Sequence, residues 1–357
     1  MPEFSHPTLN VGIVGATGNV GTIMLQVLAE RGVNIGKLRA FASSRSAGTK
    51  VRCGDLQVVV EDLETADPTG LDVALFSAGA SRALDHAQRF ADAGCVVIDN
   101  SSAFRMYDEI PLVVPEVNPE AARAHNGIIA NPNCSTIQLM VALKPLHDAA
   151  TIERVQVTTF QSVSGTGQAA MIELSDQAAA ALDAREPTAS VYPHQIAFNV
   201  LPQCDSFDDE GNTKEELKLI NESRKILGAP DLRVSATCVR VPVFVSHAES
   251  VNLEFAGELT PDAARAVLAA APGVIVQDDP AAGLYPMPVT AHGHDEVFVG
   301  RIRRDPSVTN GLSLFVVADN LRKGAATNTV QILELLLAQG TLRVPAAGAA
   351  SVSPASV

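Results

Sequence analysis

Cys134 stands in the run Asn131-Pro132-Asn133-Cys134-Ser135-Thr136, directly ahead of Ile137, Leu139, Met140, Leu143 and Leu146, an apolar-rich stretch suited to a helix. A cysteine at such a junction meets the first backbone N–H groups of the helix and the positive end of its dipole. Both favour the thiolate, which is the reactive form. Most free cysteines are small core residues; the Asn-Pro-Asn turn sets this one apart. The second group is His247, in Val241-Pro242-Val243-Phe244-Val245-Ser246-His247-Ala248. It reads as the end of a Val-rich strand that starts at Arg240. Imidazole takes up a proton near neutrality, which makes it the natural base for a thiol. Arg105, Glu215, Lys218 and Arg240 are the charged groups assigned to the same cleft. Glu215 and Lys218 are three apart on a helix expected over 213–227 and share a face; alone they would read as a solvated ion pair. His292 and His294 lie in a Gly-rich loop with no third ligand nearby, so no metal site is expected.

The elements around these groups supply a cofactor. Leu9-Asn10-Val11-Gly12-Ile13-Val14 is a buried-strand pattern, Gly15-Ala16-Thr17-Gly18-Asn19-Val20-Gly21 follows, and Thr22 opens a helix. A glycine turn between strand and helix lets the backbone approach a pyrophosphate at the helix N-terminus. The spacing is Gly-x-x-Gly-x-x-Gly rather than the usual Gly-x-Gly-x-x-Gly, so its strand-turn-helix context carries the reading. The next strand ends in Ser43-Ser44-Arg45-Ser46, where an NAD-binding unit would carry an acidic residue. Hydroxyls and an arginine there suit a 2′-phosphate, hence NADP. Another strand ends in Ser77-Ala78-Gly79, small residues a cofactor can pass closely, and a further one leads into Asn100. A cysteine nucleophile, a histidine base and a nicotinamide together imply one chemistry. The thiolate adds to a carbonyl, hydride passes between the adduct and the nicotinamide, and a thioester links the half-reactions.

At 357 residues the chain is too long for one average core, and two domains are expected. Strands alternating with helices in the first part predict an α/β, Rossmann-like, doubly wound parallel sheet for NADP over 1–133, completed by a C-terminal helix from about 319–344. Residues 134–318 predict an α+β catalytic and dimerisation domain with a largely antiparallel sheet, its strand runs including 232–245 and 248–257. Residues 184–212 read as an excursion at a subunit contact, and 345–357 as a disordered tail. A net charge of −14 argues against nucleic acid or an anionic membrane as partner. It also means that an anionic substrate needs basic residues gathered locally. Five cysteines at irregular spacing fit neither a disulfide framework nor a zinc site. No run nears the ~18 apolar residues of a membrane span, and no signal-peptide core is present, so a cytoplasmic location is expected.

The chain resembles the aspartate-β-semialdehyde dehydrogenase family over nearly its whole length. The resemblance rests on Gly-Ala-Thr-Gly-Asn-Val-Gly (15–21), Phe-Ala-Ser-Ser-Arg-Ser (41–46), Ser-Ala-Gly (77–79), Asp-Asn-Ser-Ser-Ala-Phe-Arg (99–105), Pro-Leu-Val-Val-Pro-Glu-Val-Asn (111–118) and Asn-Pro-Asn-Cys-Ser-Thr (131–136). It continues through Gln-Ser-Val-Ser-Gly-Thr-Gly (161–167), Glu-Glu-Leu-Lys (215–218), Arg-Val-Pro-Val-Phe-Val-Ser-His (240–247) and Asp-Asn-Leu-Arg-Lys-Gly-Ala-Ala (319–326). The details resemble the shorter bacterial branch.

The resemblance implies NADPH-dependent reductive dephosphorylation of aspartyl-β-phosphate to aspartate semialdehyde, a step toward lysine (by way of diaminopimelate), threonine and methionine. It makes Cys134 the nucleophile, His247 the acid/base, and Gln161 the group that orients the acyl carbon. It gives Arg240 and Glu215 the substrate's carboxylate and amino group, and Arg105, Asn133 and Lys218 the phosphate. It lines the dinucleotide turn with Gly15, Thr17, Gly18, Asn19 and Val20, sets Ser43 and Arg45 on the 2′-phosphate, and brings Ser77, Ser164, Gly165 and Asn320 to the cofactor. It also implies a homodimer or a dimer of dimers. Two other acyl-phosphate reductases fit less well. N-acetyl-glutamyl-phosphate reductase would carry Gly-Cys-Tyr-Pro around its nucleophile, and glyceraldehyde-3-phosphate dehydrogenase Ser-Cys-Thr-Thr-Asn; here the residues are Asn-Cys-Ser-Thr. A catalytically silent NADP-binding paralogue would lack the cysteine or the histidine, and both are present.

Overall fold

The computed structural model describes residues 7–342, so the 345–357 segment lies outside the described residues. The chain divides into two units, Met1–Asn133 with Ala325–Val357, and Cys134–Gly324.

The first unit opens with β1 (Leu9–Val14), α1 (Asn19–Glu30), β2 (Ile35–Ala42), β3 (Lys50–Cys53), β4 (Leu56–Asp62), β5 (Val73–Phe76), α2 (Ala80–Asp92), β6 (Val96–Asp99) and β7 (Ile128–Ala130). The strands form one sheet in the order β3-β4-β2-β1-β5-β6-β7. Every pairing is parallel except the β3–β4 hairpin. β5 and β6 are wholly buried, which is why they read as short continuous apolar runs rather than as alternating strands. The chain leaves β1 toward β2, then returns to β1's other side at β5. The switch point, where doubly wound sheets bind ligands, falls between β1 and β5.

The second unit comprises α3 (Cys134–Ala150), β8 (Ile152–Gln161), α4 (Gln168–Leu182), α5 (Lys214–Leu227), β9 (Arg233–Arg240), β10 (His247–Phe255), α6 (Pro261–Ala270), β11 (Val274–Val276), α7 (Pro288–Ala291), β12 (Val297–Arg304) and β13 (Gly311–Ala318). Its six-stranded sheet runs β11-β12-β13-β10-β8-β9 and is mixed. The three central pairings are antiparallel, while β11–β12 and β8–β9 are parallel. α3 packs on β10, β13 and α5, with every residue from Ser135 to Leu143 buried, so it is a core helix rather than an amphipathic one. α5 is bounded as its sequence predicts. Thr213 and Glu216 form a reciprocal capping box, and Gly228 closes the helix at φ 61°.

The expected strand over 232–245 needs correction. It breaks after Arg240, and His247 opens β10 instead of ending a strand. Pro242 has no N–H to give a ladder, and Ser246 turns the chain at φ 77°, a left-handed conformation costly for a residue with a Cβ.

A π-helical turn, Arg322–Ala326, then leads into α8 (Thr327–Gln339). Val330, Ile332, Leu333 and Leu336 join the first unit's core with Val11, Ile13, Met24 and Leu28. At roughly 1.5–3 kcal/mol per fully buried side chain, this face anchors the helix to that unit.

Candidate active site

In the second unit Cys134 is the first residue of α3. It is also the one cysteine of the five that is not buried. Burial pushes Cys53, Cys95 and Cys238 upward from the ordinary thiol range, and Cys204 up to about 12. Those four behave as inert core residues. The π-helical turn lies against Cys134 at Gly324, where an added Cβ would come within 2.9 Å of the Cys134 Cβ. Single π turns inside helices frequently mark functional sites.

His247 is fully buried at the start of β10. The Ser162 backbone N–H donates to its Nδ1 at 3.0 Å, with the Ser162 hydroxyl 3.1 Å from the same nitrogen. A nitrogen that accepts an N–H carries no proton, so the neutral ring is the Nε2–H tautomer by this network. Nε2 makes no hydrogen bond among the described residues. It faces Gly165, where a Cβ would lie 3.2 Å from Nε2, from Cε1 and from Arg240 Nη1. The missing side chain keeps the space between the imidazole and the guanidinium open. Burial first, and the Arg240 charge second, lower the His247 pKa to about 3, so the ring is neutral at physiological pH.

Asn320 ties these parts together. Its Oδ1 accepts from the Ser246 N–H at 2.9 Å, from the Ser162 hydroxyl at 3.2 Å and from the Ser164 hydroxyl at 3.1 Å. Sharing one acceptor, they hold the Ser246 turn, and so the entry to His247, against the Ser162–Gly165 segment.

Beside α3 runs a chain of polar side chains. Gln161, at the end of β8, donates through Nε2 to Ser135 Oγ at 3.0 Å and to Glu215 Oε1 at 3.2 Å. Lys218 Nζ lies 3.0 Å from Glu215 Oε2 and 3.0 Å from Asp205 Oδ2. Burial works against the Lys218 charge, but the two carboxylates outweigh it and raise its pKa. Arg240, at the end of β9, donates from Nη1 to the Ser162 carbonyl at 2.7 Å, and its Nε has no partner among the described residues. The second unit thus assembles Cys134, Gln161, Ser164, Gly165, Glu215, Lys218, Arg240, His247 and Asn320.

The first unit carries the remaining residues. Gly15 turns at φ 83° just after β1, directly over the carbonyl of Ser77, the residue that follows β5, where any Cβ would collide. Gly18 caps α1, followed by Asn19 and Val20, and a Cβ at Gly21 would strike the Gly15 carbonyl. No acidic residue occupies the first turn of α1, so a backbone cradle with a positive helix end faces the switch point. That cradle fits a dinucleotide pyrophosphate. Thr17 Oγ1 lies 3.5 Å from Ser46 Oγ in the turn after β2 that also holds Ser43 and Arg45. Arg105 is buried and donates to the backbone carbonyls of Asn131 at 3.0 Å and Asn100 at 2.8 Å, which aims its guanidinium from the ends of β6 and β7. Asn133, also buried, is the last residue of this unit before Cys134.

Sequence reasoning missed Ser162, Asp205, Ser246 and Gly324. Ser162, Ser246 and Gly324 lie inside the motifs at 161–167, 240–247 and 319–326, but a backbone N–H and an absent side chain leave no residue-type signal. Among the described residues no group of three or more His, Cys, Asp or Glu could hold a metal. His292 Nδ1 instead meets Asp319 at 3.0 Å, and His294 packs edge-on against Phe298.

Residues 10–125 match the family described as semialdehyde dehydrogenase, NAD binding domain, and residues 143–323 that described as semialdehyde dehydrogenase, dimerisation domain. The aspartate-semialdehyde dehydrogenase of Aquifex aeolicus is 53% identical over 336 residues, 93% of this chain and 99% of the relative. The crystal structure of aspartate semialdehyde dehydrogenase II from Vibrio cholerae complexed with ASA matches with a TM-score of 0.91 at 47% identity, over 93% of this chain and 99% of that one. The Candida albicans enzyme with NADP matches with a TM-score of 0.74 at 27% identity, over 94% and 100% of the two chains.

Proposed function

Because the chain belongs to the aspartate-semialdehyde dehydrogenase family, we propose that it carries out the NADPH-dependent reductive dephosphorylation of L-aspartyl-4-phosphate to L-aspartate 4-semialdehyde through a thioester on Cys134. The observation that carries the thioester is the position of Cys134, half-buried at the N-terminus of a core helix, while the other four cysteines of the chain are buried. Its sulfur attacks the acyl carbon, the bond to phosphate breaks with its electron pair, and the thioester remains. The backbone N–H groups at the start of α3 are donors for the oxyanion that forms. His247 is assigned the acid/base role; with Nδ1 engaged by Ser162, its Nε2–H gives a second hydrogen bond to that oxygen, and the positive end of α3 rather than the imidazole favours the Cys134 thiolate. Gln161, held between Ser135 and Glu215, orients the acyl group.

Arg240 binds the substrate carboxylate through the edge of its guanidinium not engaged with Ser162, and Glu215 binds the amino group. Lys218, Arg105 and Asn133 are assigned the phosphate. Gathering basic residues offsets a net charge of −14 that would otherwise repel such an anion. Gly15, Thr17, Gly18, Asn19, Val20 and Ser77 would hold the dinucleotide, Ser43 and Arg45 its 2′-phosphate, and Ser164, Gly165 and Asn320 are assigned to its nicotinamide end. When bound, the nicotinamide supplies the hydride of the reductive half-reaction.

The same reading assigns the enzyme to lysine, threonine and methionine synthesis in the cytoplasm, as a homodimer or dimer of dimers. Among the described residues no helix is long and apolar enough to cross a membrane. The dimer is supported by the dimerisation-domain match and by Phe198, Val200 and Phe207, exposed on the irregular 184–212 segment. The test of the reaction is phosphate-dependent reduction of NADP with aspartate semialdehyde by wild type and Cys134→Ala. Activity in the wild type and none in the variant is expected. Turnover surviving in the variant would refute the thioester.

A further inference from the structure

Arg105 lies between Asp99 and Pro119, where the chain forms no helix or strand, so the direction of its guanidinium is set by what it bonds. Those bonds go to two backbone carbonyls, of Asn131 and Asn100. The side chains of the same two residues are locked together, with Asn131 Nδ2 donating to Asn100 Oδ1 at 3.0 Å. α8 takes hold of both. Asn328 Nδ2 donates to Asn131 Oδ1 at 2.7 Å and to the Val113 carbonyl at 3.1 Å. The Thr329 hydroxyl lies 2.9 Å from Asn100 Oδ1 and 2.8 Å from the Ala325 carbonyl, one proton for two acceptors. At the far end Asn100 Nδ2 donates to the Phe76 carbonyl at 3.1 Å.

Two backbone carbonyls fix the sense of this network. Val113 and Phe76 can only accept there, so Asn328 and Asn100 must turn their amide N–H groups to them. Asn131 then has to face Asn328 with its oxygen and Asn100 with its nitrogen. Flipping it would set donor against donor and acceptor against acceptor. Asn131, Asn328 and Thr329 are all buried. Apolar side chains would fill the same space without the cost of burying polar groups; what the amides add is direction. α8 is a fixed reference for them, because Val330, Ile332, Leu333 and Leu336 anchor it in the core of the same unit.

We propose that Asn328 and Thr329 of α8 are positioning residues for the guanidinium of Arg105, acting through the side-chain amides of Asn131 and Asn100. This rests on the phosphate-binding role given above to Arg105.

The test follows phosphate-dependent reduction of NADP with aspartate semialdehyde, varying inorganic phosphate, NADP and the semialdehyde in turn, and records melting by circular dichroism. Asn328→Leu, close in volume but without a donor, should raise KM for phosphate by ~5- to 20-fold, as misplacing a binding group does. KM for NADP and for the semialdehyde should each change less than ~2-fold, because neither is assigned to Arg105. Thr329→Val should raise KM for phosphate by ~3-fold or more, and Thr329→Ser, which keeps the hydroxyl, should restore it. Arg105→Lys should raise it more than either. Asn328→Leu added to Arg105→Lys should raise it no further, since both act through one guanidinium. A purely packing role would lower the melting temperature and leave KM for phosphate unchanged, or move all three KM values together; either overturns the proposal. So would a Thr329→Ser as impaired as Thr329→Val, or a further rise in the double variant. Should Asn328→Leu fail to fold, an unchanged KM for phosphate in Thr329→Val overturns it alone. An unchanged KM for phosphate in Arg105→Lys would refute the phosphate role of Arg105 and the proposal with it, a distinct outcome from a silent Asn328→Leu beside an impaired Arg105→Lys.

Discussion

Gly324 offers a perturbation whose effects on stability and on activity separate. Its backbone is not left-handed, so alanine fits the conformation, and a helical alanine is favoured over glycine by about 1 kcal/mol. The added Cβ, however, would stand 2.9 Å from the Cys134 Cβ, 3.3 Å from its Cα and 3.5 Å from the Asn320 Cβ. Carbon atoms pack at about 3.5–4.0 Å, so Cys134 or the π turn must yield by roughly 0.6 Å or more. Two of the three atoms belong to the backbone or Cβ of the first residue of a core helix, which cannot swing away as a long side chain would. Such overpacking costs about 1–3 kcal/mol. Set against the helix preference, Gly324→Ala should lose no more than about 2 kcal/mol of stability. Catalysis should suffer more. A displacement approaching 1 Å at a reacting group costs up to ~100-fold, so kcat for the phosphate-dependent reduction of NADP should fall by ~10- to 100-fold. Gly257→Ala, where nothing lies within 4 Å of the added carbon, is the control and should leave kcat unchanged. A folded Gly324→Ala enzyme with wild-type kcat and wild-type rate of Cys134 alkylation would show that the π turn does not constrain the nucleophile.

Two further perturbations address the cofactor and the imidazole. Arg45→Ala removes the one cation of the Ser43–Ser46 turn. If it holds a 2′-phosphate, KM for NADPH should rise roughly 10- to 100-fold, the value of a charge-assisted hydrogen bond, while KM for NADH stays put. Equal changes for both cofactors would sink that assignment. For His247, the folded chain takes up the proton only near pH 3, whereas an unfolded chain does so at the ordinary 6.5. Between those values the unfolded state holds the extra proton, so the contribution is complete above pH 6.5 and is lost as pH falls toward 3. The slope is roughly 1.4 kcal/mol per pH unit. His247→Asn removes that titration, so its urea midpoint should fall less than that of wild type between about pH 7 and about pH 5. Parallel slopes would mean that the ring is not buried in its neutral form.

The features that sequence made legible are those encoded locally. A glycine at φ 83° over a neighbouring strand announces itself as Gly15, Thr213 and Gly228 bracket α5 at the positions their chemistry requires, and the Asn-Pro-Asn turn marks Cys134 as the start of a helix. The wound sheet follows from the alternation of short apolar strands with helices, because each element must bury one face and connections stay short. The misreading at 232–245 has the opposite origin. Val241, Val243 and Val245 have strand propensity, but propensity reports how a residue fits a half-buried surface, and here tertiary context overrides it. The Ser246 turn is held by Asn320, 74 residues away, and no local pattern records that bond. The same holds for the tautomer of His247, set by a backbone N–H 85 residues distant. Residue types nominated the cysteine and the histidine; what joins the elements that carry them is a set of backbone and amide contacts between α3, β8 and β10. In those contacts the informative atoms are an N–H, a carbonyl and a missing Cβ.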